Sequence, residues 1–198
     1  LTMPVLVWLI DGSDSPRKAA AAGWIFGFGY FLANLFWIGE AFLVEAEKFA
    51  WLMPFAVTIL PAGLALFWAA ASAIARYFWR KDASRVLVLA VCLSLAEWLR
   101  GHVLTGLPWN VLGYALTYPI ELMQGAALMG VYALTLVAAI IFTAPLVVAA
   151  GADVARQRTA FAKACLIAVL PIACLAAHGT WRLSISAPEN VPGVMVRI

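Results

Sequence analysis

Long apolar runs place the strongest limit on how this chain folds. An α-helix rises about 1.5 Å per residue, so it needs about 20 apolar residues to cross a bilayer core of about 30 Å. Five runs in the sequence reach or approach that length, and each predicts a membrane-spanning helix. Their approximate bounds are 19–44, 50–78, 85–105, 119–150 and 160–178.

The amino-acid composition supports this interpretation and argues against a soluble fold. Hydrophobic residues make up 65% of the 198 residues and charged residues 12%, whereas soluble domains contain about 45–50% and about 25% of these classes. So few charged residues leave too little polar surface to cover a water-soluble globule. The net charge of +3 is small and scattered along the chain, so nothing indicates nucleic-acid binding.

The two ends of the chain differ from the runs between them. Residues 1–10 are apolar but too short to span a bilayer, and we expect a partial helix there. Residues 181–198 are polar, contain two prolines and end in "VMVRI", which predicts a linker and the start of a β-strand. The predicted fold class is therefore an all-α membrane protein. It is a polytopic transmembrane helix bundle with about five complete spans and a partial N-terminal one over residues 1–180.

Details within the runs predict how the helices pack. Gly23 and Gly27 form a GxxxG pair, which permits close contact with another helix. Asn34, in the same run, should either donate a hydrogen bond to a neighbouring helix or line a cavity. The run 119–150 is long enough that it should tilt or break, and Pro145 is the expected position of the break.

Basic residues predict the orientation of the bundle. Nine of the 13 Lys and Arg residues lie near residues 11–19, 76–85 and 152–163. Short loops rich in these residues remain in the cytoplasm. The other ends of the helices, and the C-terminal end of the chain, are therefore predicted to face the opposite side of the membrane.

Two charged residues lie toward the end of the predicted span 85–105. Glu97 is about 18 Å along that helix from Arg85, and it is spaced i, i+3 from Arg100, so the two share a helix face. Charges in hydrocarbon are costly, so this pair should form and point toward protein or a wet cavity. Two roles stay open. The residues form a structural ion pair that joins helices, or they form the floor of a polar pocket where Arg100 binds a lipid phosphate.

The segment "TGLPWN", residues 105–110, cannot continue a regular helix. Gly106 permits unusual dihedral angles, and Pro108 disfavours helical geometry at the residue before it. Irregular backbone persists at membrane depth only where protein or water covers it. Trp109 by itself would fit the aromatic belt of a membrane interface. The candidate substrate or lipid pocket therefore consists of Glu97, Arg100, Thr105, Pro108, Trp109 and Asn110.

Neither a catalytic pattern nor a metal-binding pattern accompanies this pocket in the sequence. The three cysteines lie in apolar runs, where we expect buried and unreactive thiols. The His, Cys, Asp and Glu residues lack the spacing of a metal site, so neither a metal nor another cofactor is expected. The cysteines are Cys92, Cys165 and Cys174.

The stretch "EWLRGHVLTGLPWN", residues 97–110, resembles the signature of bacterial apolipoprotein N-acyltransferases, approximately E-[FW]-L-R-G-x-x-[LF]-T-G-[FL]-P-W. Two further stretches, "GFGYFLANLFWI" at 27–38 and "PIELMQGAALMGVYALT" at 119–135, are similar to other blocks of that family. The ending "VPGVMVRI" resembles the start of its nitrilase-like domain. The resemblance covers the whole chain and is most specific at the long motif.

The resemblance implies a function for the intact protein. It implies an enzyme of the bacterial inner membrane that moves an acyl chain from a phospholipid, through a cysteine thioester, to the N-terminal diacylglyceryl-cysteine of an apolipoprotein. The family's Glu-Lys-Cys triad lies in the periplasmic nitrilase-like domain, and no residue of this chain matches it. This chain would then be the membrane part, inactive alone and with its C-terminal end in the periplasm.

Two other classes of function stay open from the sequence. A small transporter or channel would use Glu97, Arg100 and Asn34 as a polar path across the membrane, although the sequence contains no inverted repeat. A structural membrane subunit would fit the glycine pair equally well.

Overall fold

The structure, a computed structural model, describes residues 2–80, 82–146 and 154–185. These residues contain α-helices and short 3₁₀ segments but no β-strand, which confirms the predicted all-α class. The predicted strand falls within residues 186–198, outside the described residues. In chain order the helices are α1 Met3–Asp11, α2 Pro16–Leu35, α3 Ala46–Phe49, α4 Met53–Tyr77, α5 Ser84–Arg100, α6 Ile120–Met123, α7 Gly125–Thr143 and α8 Val154–Ile185.

Helical stretches within the described residues are long and apolar enough to cross a membrane at four places. The first two also include the 3₁₀ and short helices that flank α2 and α4. The predicted span 85–105 is shorter than expected, because α5 has 17 residues and ends at Arg100. Its length is about 26 Å. The four stretches are Pro16–Leu43, Ala46–Tyr77, Gly125–Thr143 and Thr159–Ile185.

The structure refines two of the predicted boundaries. The run 119–150 does not form one helix, and the break predicted near Pro145 is present, because α7 ends at Thr143 and a turn at Ala144 precedes Pro145. A further interruption lies at Gly130, where φ is 76° and ψ is 163°; glycine lacks a Cβ and adopts positive φ at little cost. Residues 181–185, where the linker was predicted to begin, are helical, because α8 continues to Ile185; the rest of the predicted linker lies outside the described residues. The Ser184 hydroxyl donates to the Trp181 carbonyl at 2.6 Å within that last turn.

The glycine pair of α2 brings that helix into close contact with α4. A Cβ placed on Gly23 would lie 2.6 Å from the Trp68 carbonyl oxygen, and one on Gly27 would lie 3.0 Å from the Trp68 Cβ. Both distances are shorter than an ordinary carbon contact of about 3.5–4.0 Å. The predicted role of the GxxxG pair is therefore confirmed.

A polar cluster joins the end of α1 to the neighbouring ends of α4 and α5 and to the loop between them. Asp11 forms an ion pair with Arg85 at 2.7 Å and also accepts a 2.7 Å hydrogen bond from the Trp79 indole. Arg76 donates to the Ser13 carbonyl at 2.8 Å. We call this end, formed by residues 11–16 and 76–85, the basic end. The partial helix predicted over residues 1–10 is thus a packed element, and Leu6, Val7 and Ile10 are fully buried.

Candidate functional site

The loop that follows α5, residues 101–111, is called the motif loop, and it defines the motif end of the bundle. Its backbone is unusual because Leu104, Thr105 and Asn110 have φ values of 53°, 72° and 52°. Residues other than glycine in this region cost about 1–3 kcal/mol each, so they persist only where the surroundings hold them. The motif loop must therefore be fixed by strong contacts, and those contacts form the candidate site.

Glu97 is the central acceptor of the site. It is 0% exposed, and its Oε1 accepts a 2.6 Å hydrogen bond from the indole nitrogen of the equally buried Trp68. Glu97 lies about 20 Å along α5 from Ser84, and Trp68 lies about 14 Å from the end of α4 at Tyr77. Both distances are measured from the basic end. The bond therefore lies deep in the bundle and links α4 to α5 through a charged acceptor.

Arg100 connects this buried acceptor to the motif loop. Its side chain is 1% exposed and pairs with Glu97 through Nε, at 3.1 Å, and through Nη2. Its Nη1 donates to the carbonyl oxygens of Leu107 at 2.6 Å and Trp109 at 2.9 Å. The guanidinium also lies 5.0 Å from the centre of the Phe31 ring, a cation–π distance. The pairing expected from the i, i+3 spacing is present, and Arg100 additionally holds the loop backbone.

Helix α2 provides a second attachment for the motif loop. The Tyr30 hydroxyl donates to the Asn110 carbonyl at 3.1 Å, and the Asn110 side chain donates to the Asn34 carbonyl at 2.9 Å. The Asn34 side chain itself donates to the Tyr30 carbonyl within α2. Asn34 therefore takes part in a contact between α2 and the loop, but through its backbone oxygen and not its amide group.

The predicted pocket residues fall into two groups. Glu97 and Arg100 are buried and Asn110 is half-buried, and all three make hydrogen bonds that hold the loop. Thr105, Pro108 and Trp109 are exposed at the surface of the loop. The Trp109 ring lies 5.4 Å from the ring of Trp37, which belongs to the 3₁₀ segment after α2. The structure thus brings together two buried residues and one half-buried residue that fix the loop, and three exposed side chains on its surface.

Three aromatic residues of the site were not found by sequence reasoning. Trp68 donates to Glu97 and stacks on Tyr30 with ring centres 5.0 Å apart, and Phe31 contacts Arg100. A sequence signal existed for Trp68, because a tryptophan in the middle of an apolar span needs an acceptor for its indole N–H. The same reasoning applies to Tyr30, because its hydroxyl group also needs a hydrogen-bond partner within an apolar span.

The expectation of buried cysteines was wrong for two of the three. Cys92 is half-buried, whereas Cys165 and Cys174 are exposed on α8. Only 11% of the apolar part of α8 is buried inside the bundle, so most of its surface faces outward. An apolar residue on such a helix is not packed inside this bundle, and apolar character alone does not distinguish it from a core residue.

Comparison with known proteins identifies the family. Residues 1–144 match the apolipoprotein N-acyltransferase N-terminal domain. The chain is 49% identical over 203 residues to an apolipoprotein N-acyltransferase of Rhodopseudomonas palustris and 45% identical over 203 residues to one of Bradyrhizobium diazoefficiens, with 100% of this chain and 37% of each relative covered. A relative from Sinorhizobium fredii with the same description is 43% identical over 198 residues, covering 96% of this chain and 36% of the relative.

The chain thus spans little more than a third of the length of these curated relatives. Its four apolar helices and its bacterial relatives describe a multi-pass bacterial membrane protein. The long motif that suggested the resemblance, residues 97–110, is the segment that the buried Glu97–Arg100 pair holds in place. By its sequence and its matched domain, the chain belongs to the apolipoprotein N-acyltransferase family.

Proposed function

We propose that this chain is the membrane part of an enzyme that transfers an acyl chain from a phospholipid to the N-terminal diacylglyceryl-cysteine of an apolipoprotein. The family membership and the relatives' descriptions support this proposal. Acyl transfer through a thioester needs an activated thiolate, a general base and an oxyanion stabiliser. We place these groups, as a Glu-Lys-Cys triad, in the part of the relatives' length that this chain does not cover. The chain alone should therefore be inactive.

The observation that carries the proposal is the anchoring of the motif loop deep in the bundle. Arg100 uses its guanidinium on Glu97 and on two loop carbonyls, so we assign it and Glu97 the role of holding the loop. Asn110 serves the same role from the side of α2. The exposed Thr105, Pro108 and Trp109 would then form the upper surface of a lipid pocket, beneath the catalytic groups.

A bacterial inner-membrane location with the motif end toward the periplasm completes the proposal. The supporting feature is the concentration of Lys and Arg at the basic end, which the positive-inside rule assigns to the cytoplasm. The phospholipid donor and the lipoprotein acceptor would both approach from the periplasmic leaflet.

A transporter or channel has less support. A polar path requires charged groups that face a water-filled space, whereas Glu97 and Arg100 are at most 1% exposed and are bonded to protein atoms. We found no observation in the described residues that favours a purely structural subunit over the enzyme.

Acyl transfer by the protein expressed from the complete gene tests the proposed function. The assay mixes the purified protein with phospholipid vesicles and a diacylated lipopeptide, and mass spectrometry follows the mass added at the peptide's amino terminus. We expect one acyl chain to be transferred. A folded, full-length protein that leaves the lipopeptide unchanged would refute the proposal.

A further inference from the structure

An apolar groove runs along the outward face of α4. Its deeper part has a volume of about 630 Å³, and a second part of about 540 Å³ shares Ile59 and Leu60 with it. The second part continues toward the 3₁₀ segment after α2. The deeper part is lined by Ile59, Leu60, Gly63, Leu64, Leu66, Phe67, Ala70, Leu99 and Leu104.

The groove exists because α5 ends early and because α4 carries a glycine at this position. Leu99, near the end of α5, and the 90% exposed Leu104 of the motif loop form one wall of the groove. Gly63 opens its floor, since a Cβ at Gly63 would have no other atom within 4 Å. The motif loop is thus directly attached to the wall of this groove.

The groove has the dimensions and surroundings of a binding site for an acyl chain. Along α4 it extends from Phe55 to Ala70, a distance of about 22 Å. One leaflet of the hydrocarbon core is about 15 Å thick, so a complete acyl chain fits within the groove. All of the lining residues are apolar, and those of the deeper part other than Leu99 and Leu104 lie on α4, which is part of a helical stretch long and apolar enough to cross the membrane.

We propose that this groove binds one acyl chain of a membrane phospholipid, and that Gly63 gives the groove the depth that this binding requires. Lipid tails are as apolar as leucine, so the hydrophobic effect does not drive this contact. Close packing along the floor of the groove must supply the binding energy, which makes the contact sensitive to any side chain at Gly63. That the bound chain is the one transferred to the lipoprotein is a further step that rests on the proposed function.

Photo-crosslinking on the full-length protein tests the groove. The probe is a phospholipid that carries a diazirine in one acyl chain, diluted into phosphatidylcholine nanodiscs. We expect labelling to concentrate on the groove residues of α4 and on the peptide that contains Leu99 and Leu104. Gly63→Leu should abolish most of that labelling. Gly29→Leu is the matched control, because Gly29 is also helical, exposed and without an atom within 4 Å of a Cβ, and it lies outside the groove.

The possible results test acyl-chain binding by the groove independently of the proposed function. Equal labelling of all lipid-facing helices, or unchanged labelling in Gly63→Leu, would refute acyl-chain binding by the groove. Should Gly63→Leu fail to fold, Ile59→Trp fills the same groove from an exposed position and must produce the same loss. If the wild-type protein is labelled in the groove but transfers no acyl chain, the proposed function is refuted and acyl-chain binding by the groove is still supported.

Discussion

Removal of the Arg100 side chain is the most informative single change in this protein. Arg100→Met keeps a side chain of similar length but removes every donor of the guanidinium. Glu97 would then be a buried carboxylate whose remaining partner is the Trp68 indole. The Leu107 and Trp109 carbonyls would lose the donor that fixes the motif loop.

The free energy of this change can be estimated from those contacts. Breaking a buried ion pair from one side typically costs about 3–5 kcal/mol. The two part-buried carbonyls each lose a hydrogen bond from a charged donor, which costs about 1.5–3 kcal/mol more per bond. The sum is about 5 kcal/mol or higher, which approaches the entire stability of a small protein at about 5–15 kcal/mol. We therefore expect Arg100→Met to yield little monodisperse protein after extraction in detergent.

A double variant separates the two roles of Arg100, which are pairing with Glu97 and donating hydrogen bonds to the motif loop. Glu97→Leu combined with Arg100→Met removes both charges, and an apolar replacement of a buried pair is often neutral for stability. The two loop carbonyls still lack their donor, so the motif loop keeps only its attachment to α2. We expect the double variant to yield more folded protein than Arg100→Met but less than the wild type, because the two carbonyl bonds and the acceptor of the Trp68 indole are still lost. We expect it to transfer acyl chains poorly. Arg100→Lys should have an intermediate transfer rate, because one ammonium group cannot reproduce the several donors of the planar guanidinium.

The assay combines thermal stability in detergent with the acyl-transfer rate of the full-length protein. The matched control is the Asp11–Arg85 pair at the basic end, whose side chains are 21% and 16% exposed. Replacing Asp11 with Asn should cost on the order of 1 kcal/mol, as for pairs near the surface, and leave the transfer rate unchanged. A folded double variant with the wild-type rate would show that Glu97 and Arg100 have no part in the site.

Three further results are expected. Gly23→Leu should prevent α2 from packing on α4 and reduce the yield of folded protein, whereas Gly29→Leu should not; equal yields would contradict the close contact at Gly23. Replacing all three cysteines with alanine in the full-length enzyme should preserve acyl transfer, and loss of the acyl-enzyme intermediate would place the nucleophile in this chain. Reporter fusions should place Arg80 in the cytoplasm and Glu45 in the periplasm, and one fusion on the wrong side would contradict the proposed orientation.

The sequence was sufficient to predict the helices and the pairing at their charged end. Apolar length predicts a spanning segment because the bilayer core has a fixed thickness. The pairing of Glu97 with Arg100 followed from their i, i+3 spacing, since both lie on one helix. Predictions of this kind depend only on neighbours along the chain.

Contacts between helices were not predictable in the same way. Nothing in the periodicity of α4 places Trp68 opposite Glu97, because the relative height of two helices is set by packing. The end of α5 was predicted too late, since Val103 and Leu104 are apolar and would suit a longer helix. Arg100 instead binds carbonyls of the residues that follow, and Leu104 adopts a positive φ that leucine rarely shows.

The short length of α5 has a consequence for the bilayer itself. At about 26 Å, α5 is shorter than a hydrocarbon core of about 30 Å, and a bilayer adapts to such a mismatch by thinning locally. Lipids beside α5 would therefore be drawn toward the midplane, and their ester groups would sit lower than in the undisturbed leaflet. Under the proposed function, a phospholipid acyl donor would then have a shorter distance to move out of the bilayer to reach the motif loop.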